Sequence, residues 1–378
     1  MTLCDIVIPV YNQPELTKAC VESIFRTTRI PVRLIIVDNA SGAATKSVIQ
    51  GFASNEHVTV DVIANAANLG FSKAVNQGMR TGNSPFCLVL NNDTLFTDDC
   101  LKIMVDVAQG SADIGIVNPE SSTFGVRPKN GETIDDVAKR LLAHKTAWVE
   151  FSNCIGFAML VKREVIGRIG GLDEAFGIAY FEDSDFSMRA KEAGYRCVKA
   201  CGAYIFHHEH KSLDLVGWKE ELFQKNKALY QRRWGKPLRI FLPLKQAVLR
   251  DKSAAQTVLS DMVRLARNEC YIYGFVSSGM PLTKHEIFRE HGFNETANIA
   301  ITAAPPFFFG PYALYRILRK RKKPYDLVLC YESSLAKFIG RFYPIHRCPV
   351  YCVSRETKLG NNVISVGGVS PVIRLKKQ

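Results

Sequence analysis

The stretch from Cys4 to Gly42 reads CDIVIPVYNQPELTKACVESIFRTTRIPVRLIIVDNASG, and two apolar runs inside it decide the fold class. CDIVIP (Cys4–Pro9) and RLIIV (Arg33–Val37) are short and rich in β-branched residues, with few charges, as buried strands are. Between them, Pro14 to Thr27 carries apolar residues at helical spacing and opens on a proline, which the first turn of a helix tolerates. The pattern continues outward with a helix over Thr45–Ala53, a strand over Val58–Ile63, a helix over Ser72–Arg80 and a fourth strand, FCLVL, over Phe86–Leu90. Strands alternating with helices at this spacing predict an α/β fold, a mostly parallel sheet with helices on both faces. Such sheets bind ligands outside the carboxyl ends of their strands. Those ends read Pro9-Val10-Tyr11-Asn12, Val37-Asp38-Asn39, Ala64-Asn65 and Leu90-Asn91-Asn92-Asp93, all polar and able to converge on one ligand.

Further along, Phe157–Lys162 (FAMLVK) predicts a strand, Glu164–Ile169 a helix, and Leu215–Trp234 an amphipathic helix that stops at Gly235 and Pro237. Val248–Arg267 is helical by pattern. The alternation then restarts, with strands over Cys270–Val276, Asn298–Ala303, Tyr325–Cys330 and Pro349–Val353 separated by helices over Lys284–Glu290, Tyr312–Lys322 and Leu335–Phe342. Two domains follow, 1–240 and a smaller α/β domain, 241–378. The length of 378 residues and an apolar share of 47% suit two ordinary cores, and no repeat marks a solenoid.

Charge is not shared evenly. Residues 1–230 hold 24 Lys+Arg and 27 Asp+Glu, whereas 231–378 hold 25 and 9, so the whole excess of +13 belongs to the last 148 residues. The two parts must face different partners. No basic segment followed by a long apolar stretch opens the chain, so a cytoplasmic protein with reduced thiols is expected. The closest of the eleven cysteines, Cys197 with Cys201 and Cys348 with Cys352, lack the spacing of a zinc or redox pair and read as packing residues. Thr296–Tyr315 is free of charge and long enough to span a membrane, but Pro305, Pro306 and Pro311 break it.

Four clusters carry chemistry. Asp38 ends a strand and precedes a glycine turn, where a carboxylate can accept from a base N–H or a ribose hydroxyl, or cap the next helix. Asn91-Asn92-Asp93 offers oxygen donors that suit Mg²⁺ or Mn²⁺ and phosphate, although a plain turn has the same composition. Glu182, Asp183 and Asp185 are three acids in four residues; mutual repulsion raises a pKa and suits a general base, while a helix N-terminus would also favour them. His207, His208 and His210 follow an apolar run and could meet a metal or a diphosphate.

The order of these elements resembles glycosyltransferase family 2, the inverting transferases of the GT-A fold. The resemblance rests on IVIPVYN (Ile6–Asn12), IIVDNASG (Ile35–Gly42), NLGFSKAVNQG (Asn68–Gly78), LNNDT (Leu90–Thr94), GFAMLVKREV (Gly156–Val165), GGLDEAF (Gly170–Phe176), FEDSDFSMRAKEAGY (Phe181–Tyr195) and HHEHKS (His207–Ser212). It covers the first 235 residues and is similar to bacterial polysaccharide and rhamnosyl-type transferases. It implies a nucleotide-diphospho-sugar transferase fold, Rossmann-like and mostly parallel. By the resemblance, Pro9, Val10 and Tyr11 line the base, Asp38 bonds base or ribose, and Asn68, Gly70 and Lys73 lie near the nucleotide and its diphosphate, as do Asn91 and Asn92. Asp93 is the metal ligand at the end of a DxD-like motif whose first acid is here Asn91, His207 or His208 meets the metal, and Asp183, with Glu182 beside it, is the catalytic base. The implied cofactor is Mg²⁺ or Mn²⁺. The implied partners are a UDP- or dTDP-sugar and a saccharide, lipid-linked saccharide or protein acceptor.

Two other readings are weighed against this one. A non-catalytic sugar-nucleotide binder would have lost Asp93, Asp183 or His207, and all three are present. A nucleic-acid-binding protein would use the cluster Arg316, Arg319, Lys320, Arg321, Lys322 and Lys323 with the aromatics Phe307–Phe309, Tyr312 and Tyr315, but no nucleic-acid motif accompanies them. The same stretch, Pro305–Lys323, joins bulky apolar residues to cations. It fits peripheral contact with an anionic membrane at the cytoplasmic face, or a solvated helix face of the second domain.

Overall fold

Along Cys4–Val10, Ile6, Ile8 and Val10 point into one buried cluster and Val7 into another, the period of two that a strand covered on both faces requires. In the computed structural model, which describes residues 2–209 and 219–353, this strand lies at the centre of the first of two units. The units are Met1–Arg233 and Trp234–Gln378, so the division falls at 233 rather than at the expected 240. The difference arises because Arg239 and Ile240 open the central strand of the second sheet.

The first unit runs β1 (Cys4–Val10), α1 (Pro14–Thr27), β2 (Val32–Asp38), α2 (Ala43–Gln50), β3 (Val58–Ala64), α3 (Phe71–Thr81), β4 (Phe86–Leu90) and β5 (Thr94–Phe96). It continues through α4 (Cys100–Gln109), β6 (Ile114–Ser121), α5 (Ile134–Leu141), β7 (Trp148–Phe151), β8 (Ala158–Lys162), α6 (Arg163–Ile169), α7 (Glu182–Glu192), β9 (Arg196–His207) and α8 (Lys219–Trp234). Strand order is β3-β2-β1-β4-β8-β6-β9-β5, with β7 pairing β9 off that path. The pairs β1–β2, β2–β3, β1–β4 and β6–β9 are parallel. β8 runs antiparallel to β4 and β6, and β5 and β7 antiparallel to β9. This is the mostly parallel α/β sheet expected. α1 and α4 cover one face through residues such as Ile24, Leu101 and Met104, and α3, α6 and α7 the other through Val75, Met79, Val165 and Phe186. The expected helix from Leu215 is described from Lys219 onward; its first turn, like His210, lies outside the described residues.

Two local features fix how tightly this unit closes. A Cβ on Gly78 of α3 would stand 2.2 Å from Val7 Cγ1, so only glycine lets the helix lie this close to β1. Gly78→Ala is expected to lower stability by about 1–3 kcal/mol or more through overpacking, read from the denaturant midpoint. Asp5, fully buried within β1, is held by the Arg163 guanidinium at 2.6 Å and by the Ser84 N–H and Oγ, each at 2.8 Å. A buried carboxylate needs such partners.

The second unit contains β10 (Arg239–Lys245), α9 (Gln246–Arg250), α10 (Lys252–Arg267), β11 (Tyr271–Ser277), α11 (Lys284–Glu290), β12 (Ile299–Ala304), α12 (Phe309–Leu318), β13 (Leu327–Cys330), α13 (Ser333–Gly340), α14 (Tyr343–His346) and β14 (Val350–Cys352). The helix expected over Val248–Arg267 is broken at Asp251, whose side chain accepts from Ala254 N–H and caps α10. Its sheet, β12-β11-β10-β13-β14, is parallel throughout. Ile240, Leu242 and Leu244 pack towards α10 and α11, and Phe241 towards α12 and α13. A second, smaller α/β unit therefore forms. The free cysteines number eleven, nine of them buried; of the four read as packing residues, Cys197 and Cys348 are in the core, while Cys201 and Cys352 are only partly buried. Among the described residues, no helix is long and apolar enough to cross a membrane.

Candidate active site

Parallel register places Val10, Asp38 and Ala64 side by side at the carboxyl edge of β1, β2 and β3. Beyond that edge the chain is held by polar side chains. Asp38 Oδ1 accepts from Ser41 N–H at 2.8 Å, Ser41 Oγ accepts from Asn12 N–H at 2.9 Å, and Asn12 Oδ1 accepts from Gly42 N–H at 2.9 Å. Asn39 is the hub: its Nδ2 donates to Asn68 Oδ1 at 2.7 Å, and its Oδ1 accepts from Leu69 N–H and Asn65 Nδ2. The loop from Asn68 to Gly70 is thereby tied to the end of β2. Gly70 takes a φ of 85°, a region open to glycine, and hands the chain to α3 with Lys73 exposed on its first turn. Tyr11 is exposed at the same edge and Pro9 partly buried. Sequence reading named Asp38, Asn68 and Gly70 but not Asn39, although its place at a strand end was visible.

The second cluster follows β4. Asn91 N–H donates to Phe157 O at 2.8 Å, and Asn92 Nδ2 donates to Thr17 Oγ1 of α1 at 2.9 Å. Asp93 is buried and its Oδ1 lies 3.1 Å from His207 Nε2. Pairing of β5 with β9 sets Thr94 opposite His207, and the next residue, His208, donates its N–H to Asp93 O at 3.0 Å. The other ring nitrogen, Nδ1, sits 2.9 Å from Thr123 Oγ1, and Phe157 stacks on the ring at 4.9 Å. The His208 ring instead stands edge-on to Phe206. Asp93 supplies a carboxylate, which suits Mn²⁺ or Mg²⁺, and His207 an oriented imidazole, a donor for borderline rather than hard ions. Among the described residues no group of three or more His, Cys, Asp or Glu forms a metal cage. A cation here would complete its shell with phosphate oxygens, as hard divalent ions do.

The acids at the start of α7 divide into two roles. Asp185 is fully buried and paired with Arg189 Nε at 2.8 Å and Arg233 Nη1 at 2.5 Å, so it anchors α7 to α8 and is no part of a reactive pair. Asp183 is partly buried; its Oδ2 accepts from Gly156 N–H at 3.0 Å and its Oδ1 from Ser184 N–H at 2.6 Å. Loss of solvent raises its pKa above the usual aspartate range against the pull of those hydrogen bonds. Burial, followed by the charge of Asp183, pushes Glu182 up to about 8. Its Oε2 is buried without a hydrogen-bond partner among the described residues. Tyr180 and Phe181 enter the helix with φ of 74° and 73°, a region costly for bulky residues, so the surrounding packing dictates how α7 begins.

Gly156 and Phe157 join the clusters. Gly156 N–H holds Asp183, Phe157 O accepts from Asn91 N–H, and the Phe157 ring lies on His207. On the opposite side, Phe71 N–H donates to Ile178 O at 3.4 Å, linking the Gly70 loop to the segment that leads into Glu182 and Asp183. Asp38, Asn68, Gly70, Asn91, Asp93, His207 and Asp183 are thus tied into one chain of contacts. Asn92 is bonded to α1, and His208, its ring against Phe206, joins Asp93 through its backbone N–H. Gly156 and Phe157 belong to the GFAMLVKREV block, but nothing in the sequence marked them as the junction, and Thr123 carried no signal.

The family model described as Glycosyl transferase family 2 matches residues 5–170. The chain carries a family 2 glycosyltransferase domain. With that match, the mostly parallel sheet of the first unit is the GT-A architecture the resemblance implied. This domain is 28% identical over 196 residues to an uncharacterized glycosyltransferase of Haemophilus influenzae, covering 50% of this chain and 61% of that one. It is 25% identical over 227 residues to the N-acetylglucosaminyl-diphospho-decaprenol L-rhamnosyltransferase of Mycobacterium tuberculosis, covering 50% and 71%. Among solved structures it is similar to the mannosyltransferase PcManGT of Pyrobaculum calidifontis in complex with GDP-Man and Mn²⁺, at a TM-score of 0.44 and 19% identity, covering 55% and 57%. The chain spans less than two thirds of the length of the Haemophilus relative and of the mannosyltransferase. The family match ends before α7 and β9, so Glu182, Asp183 and His207 rest on the geometry of the site itself.

Proposed function

We propose that the family 2 domain transfers a sugar from a UDP- or dTDP-sugar to an acceptor hydroxyl by single displacement, with inversion at the anomeric carbon. The observation that carries this reading is Asp183: a carboxylate fixed by two backbone N–H groups, made more basic by loss of solvent, and joined through Gly156 and Phe157 to the Asp93–His207 pair. Asp38, with Pro9, Val10 and Tyr11, holds the nucleoside; Asn68, Gly70, Lys73 and Asn91 border the diphosphate, with Asn92 bracing the strand end against α1. Asp183 takes the proton from the acceptor oxygen as that oxygen bonds to the anomeric carbon, and the bond from that carbon to the diphosphate breaks with its electron pair leaving on the nucleotide. Glu182 lies beside the base. Asp93 and His207 would hold a divalent cation, which when bound neutralises charge on the departing diphosphate.

The name of the mycobacterial relative describes a lipid-linked saccharide acceptor, and that class is the acceptor we propose, for polysaccharide assembly at the cytoplasmic side of a membrane. The test is a thermal-stability screen of nucleotides and nucleotide-sugars with Mn²⁺ or with chelator. A ligand at a hundred times its dissociation constant should stabilise the domain by about 2.7 kcal/mol, and more weakly after chelation. Turnover of the selected donor should need Asp183. Absence of stabilisation by any UDP- or dTDP-linked compound would remove the donor assignment.

Glu182 gives this site a pH signature. Its carboxyl is neutral below its raised pKa and charged above it, so a second negative charge appears beside Asp183 above about pH 8. The KM for the anionic donor is expected to rise there in the parent protein and to stay flat in Glu182→Gln. Since the folded-state pKa is raised, the stability that Glu182 contributes is present below the ordinary glutamate value and lost as pH rises through about 8. Glu182→Gln should therefore be relatively more stable at alkaline than at neutral pH, a comparison that urea midpoints at two pH values settle.

A further inference from the structure

The second unit carries the basic excess, and its structure gathers that charge beside an apolar surface. From Thr296 to Tyr325 there is no Asp or Glu. Within this span Phe307 is 80% exposed, Phe308 71%, Tyr315 54% and Tyr312 47%, an arrangement a folded unit does not need for its own core. Tyr312 and Tyr315, three apart, share one face of α12, with Phe308 just before the helix and Arg319 just after it, while Phe309 and Ala313 on the other face are buried. Met280, also largely exposed, leaves the end of β11, whose Ser277 pairs with Ala304 at the end of β12 just before Pro305-Pro306-Phe307-Phe308. The cations are sorted as well. Arg316 lies over the Phe275 ring and Arg321 over the Tyr325 ring, so both are committed to the unit's own aromatics. Arg319, Lys320, Lys322 and Lys323 remain exposed.

We propose that α12, with the Phe307–Phe308 loop before it and the cations after it, docks the second unit onto an anionic membrane surface. α12 has ten residues, too short to cross a bilayer, which takes about 20. It is suited to lying in the interface with its aromatic stripe among the headgroups and acyl boundary, where tyrosine and other amphipathic rings concentrate. Thirty residues without a carboxylate meet anionic headgroups without repulsion. Nucleic acid would want separate ring faces on which bases stack. Here Phe307 and Phe308 meet edge to face at 4.6 Å, and Tyr312 and Tyr315 stack on one another at 5.9 Å. This docking is independent of the transfer chemistry of the first unit.

The test is sedimentation of the full chain with vesicles of phosphatidylcholine alone and of phosphatidylcholine mixed equally with phosphatidylglycerol. Binding is expected to the anionic vesicles, to weaken with added salt, and to fall about a hundredfold in the triple variant Lys320→Gln, Lys322→Gln, Lys323→Gln, at roughly fivefold per cation. Phe307→Ser with Phe308→Ser should weaken it by about tenfold or more through lost apolar insertion. Both variants change exposed side chains and should keep the parent melting temperature and nucleotide stabilisation, so that loss of docking is separable from failure of the transferase reading. No binding to anionic vesicles overturns the proposal, as does equal binding to both vesicle types unaffected by the lysine changes. Tighter, lysine-dependent binding to a single-stranded RNA oligonucleotide that displaces the vesicles would make the face a nucleic-acid site. Self-association abolished by the phenylalanine changes would give it to a second copy of the chain.

Discussion

Replacing Asp183 by asparagine is expected to cut transfer by about 10²- to 10⁴-fold while nucleotide stabilisation stays close to the parent value, the range a positioned general base contributes. The reason is local. Both carboxylate oxygens already accept backbone hydrogen bonds, from Gly156 N–H and Ser184 N–H, so the group is aimed and cannot turn away to find other partners. An amide keeps the shape but has only one acceptor oxygen, so one of those N–H groups must face the new NH₂. Asp183→Ser removes that conflict and should be equally inactive, which separates loss of the base from local distortion. The measurement is single-turnover transfer from the donor chosen by the stability screen, with unfolding curves for both variants alongside. Full transfer in either variant would sink the assignment of the base, and with it the mechanism.

The largest expected stability effect lies on the other side of the sheet edge. Arg163→Ala should destabilise the first unit by about 3–5 kcal/mol, because it leaves the buried Asp5 carboxylate without its cation. Arg163 also donates to Met79 O at 2.7 Å and Ser84 O at 3.1 Å, so the same guanidinium closes α3 and the turn before β4 onto β1. Ser84 would keep its two hydrogen bonds to Asp5, which favours the lower end of the range. If the cost is the stranded charge, Arg163→Ala should hurt much less in an Asp5→Asn background, a double-mutant cycle that urea denaturation can read. Equal losses in both backgrounds would show that the backbone carbonyl bonds matter more than the ion pair.

How much of this could be seen in the amino-acid order depended on whether the signal was local. The strand–helix alternation from Cys4 to Leu90 was legible because each run is uniformly apolar and ends on a turn. β9 was legible only over Ala203–Phe206, since Lys199, Cys201 and Gly202 interrupt its alternation; Lys199 is tolerated because it pairs with Glu120 on β6, a partner far away in sequence. The polar strand ends pointed to the ligand-binding edge, and the acids at Glu182 and Asp183 to a base. The orientation of the His207 ring could not be read, because it follows from the pairing of β5 with β9 and from Thr123, which is 84 residues away. The same holds for Asp185. It looked like a third reactive acid until Arg189 and Arg233 were seen to enclose it. Arg316 and Arg321 likewise read as members of one solvated cluster and turn out to cover aromatic rings.

The nine buried thiols, spread through both units, have a use of their own. Burial drives Cys20, Cys87 and Cys100 of the first unit up to about 12 and Cys270 of the second up to about 11, and a protonated, enclosed thiol does not react. An alkylating reagent therefore labels each of these four only when the surrounding structure opens. Mass spectrometry of pulse-labelled protein would then report, cysteine by cysteine, which of the two cores loosens first on warming, with no probe added to the chain.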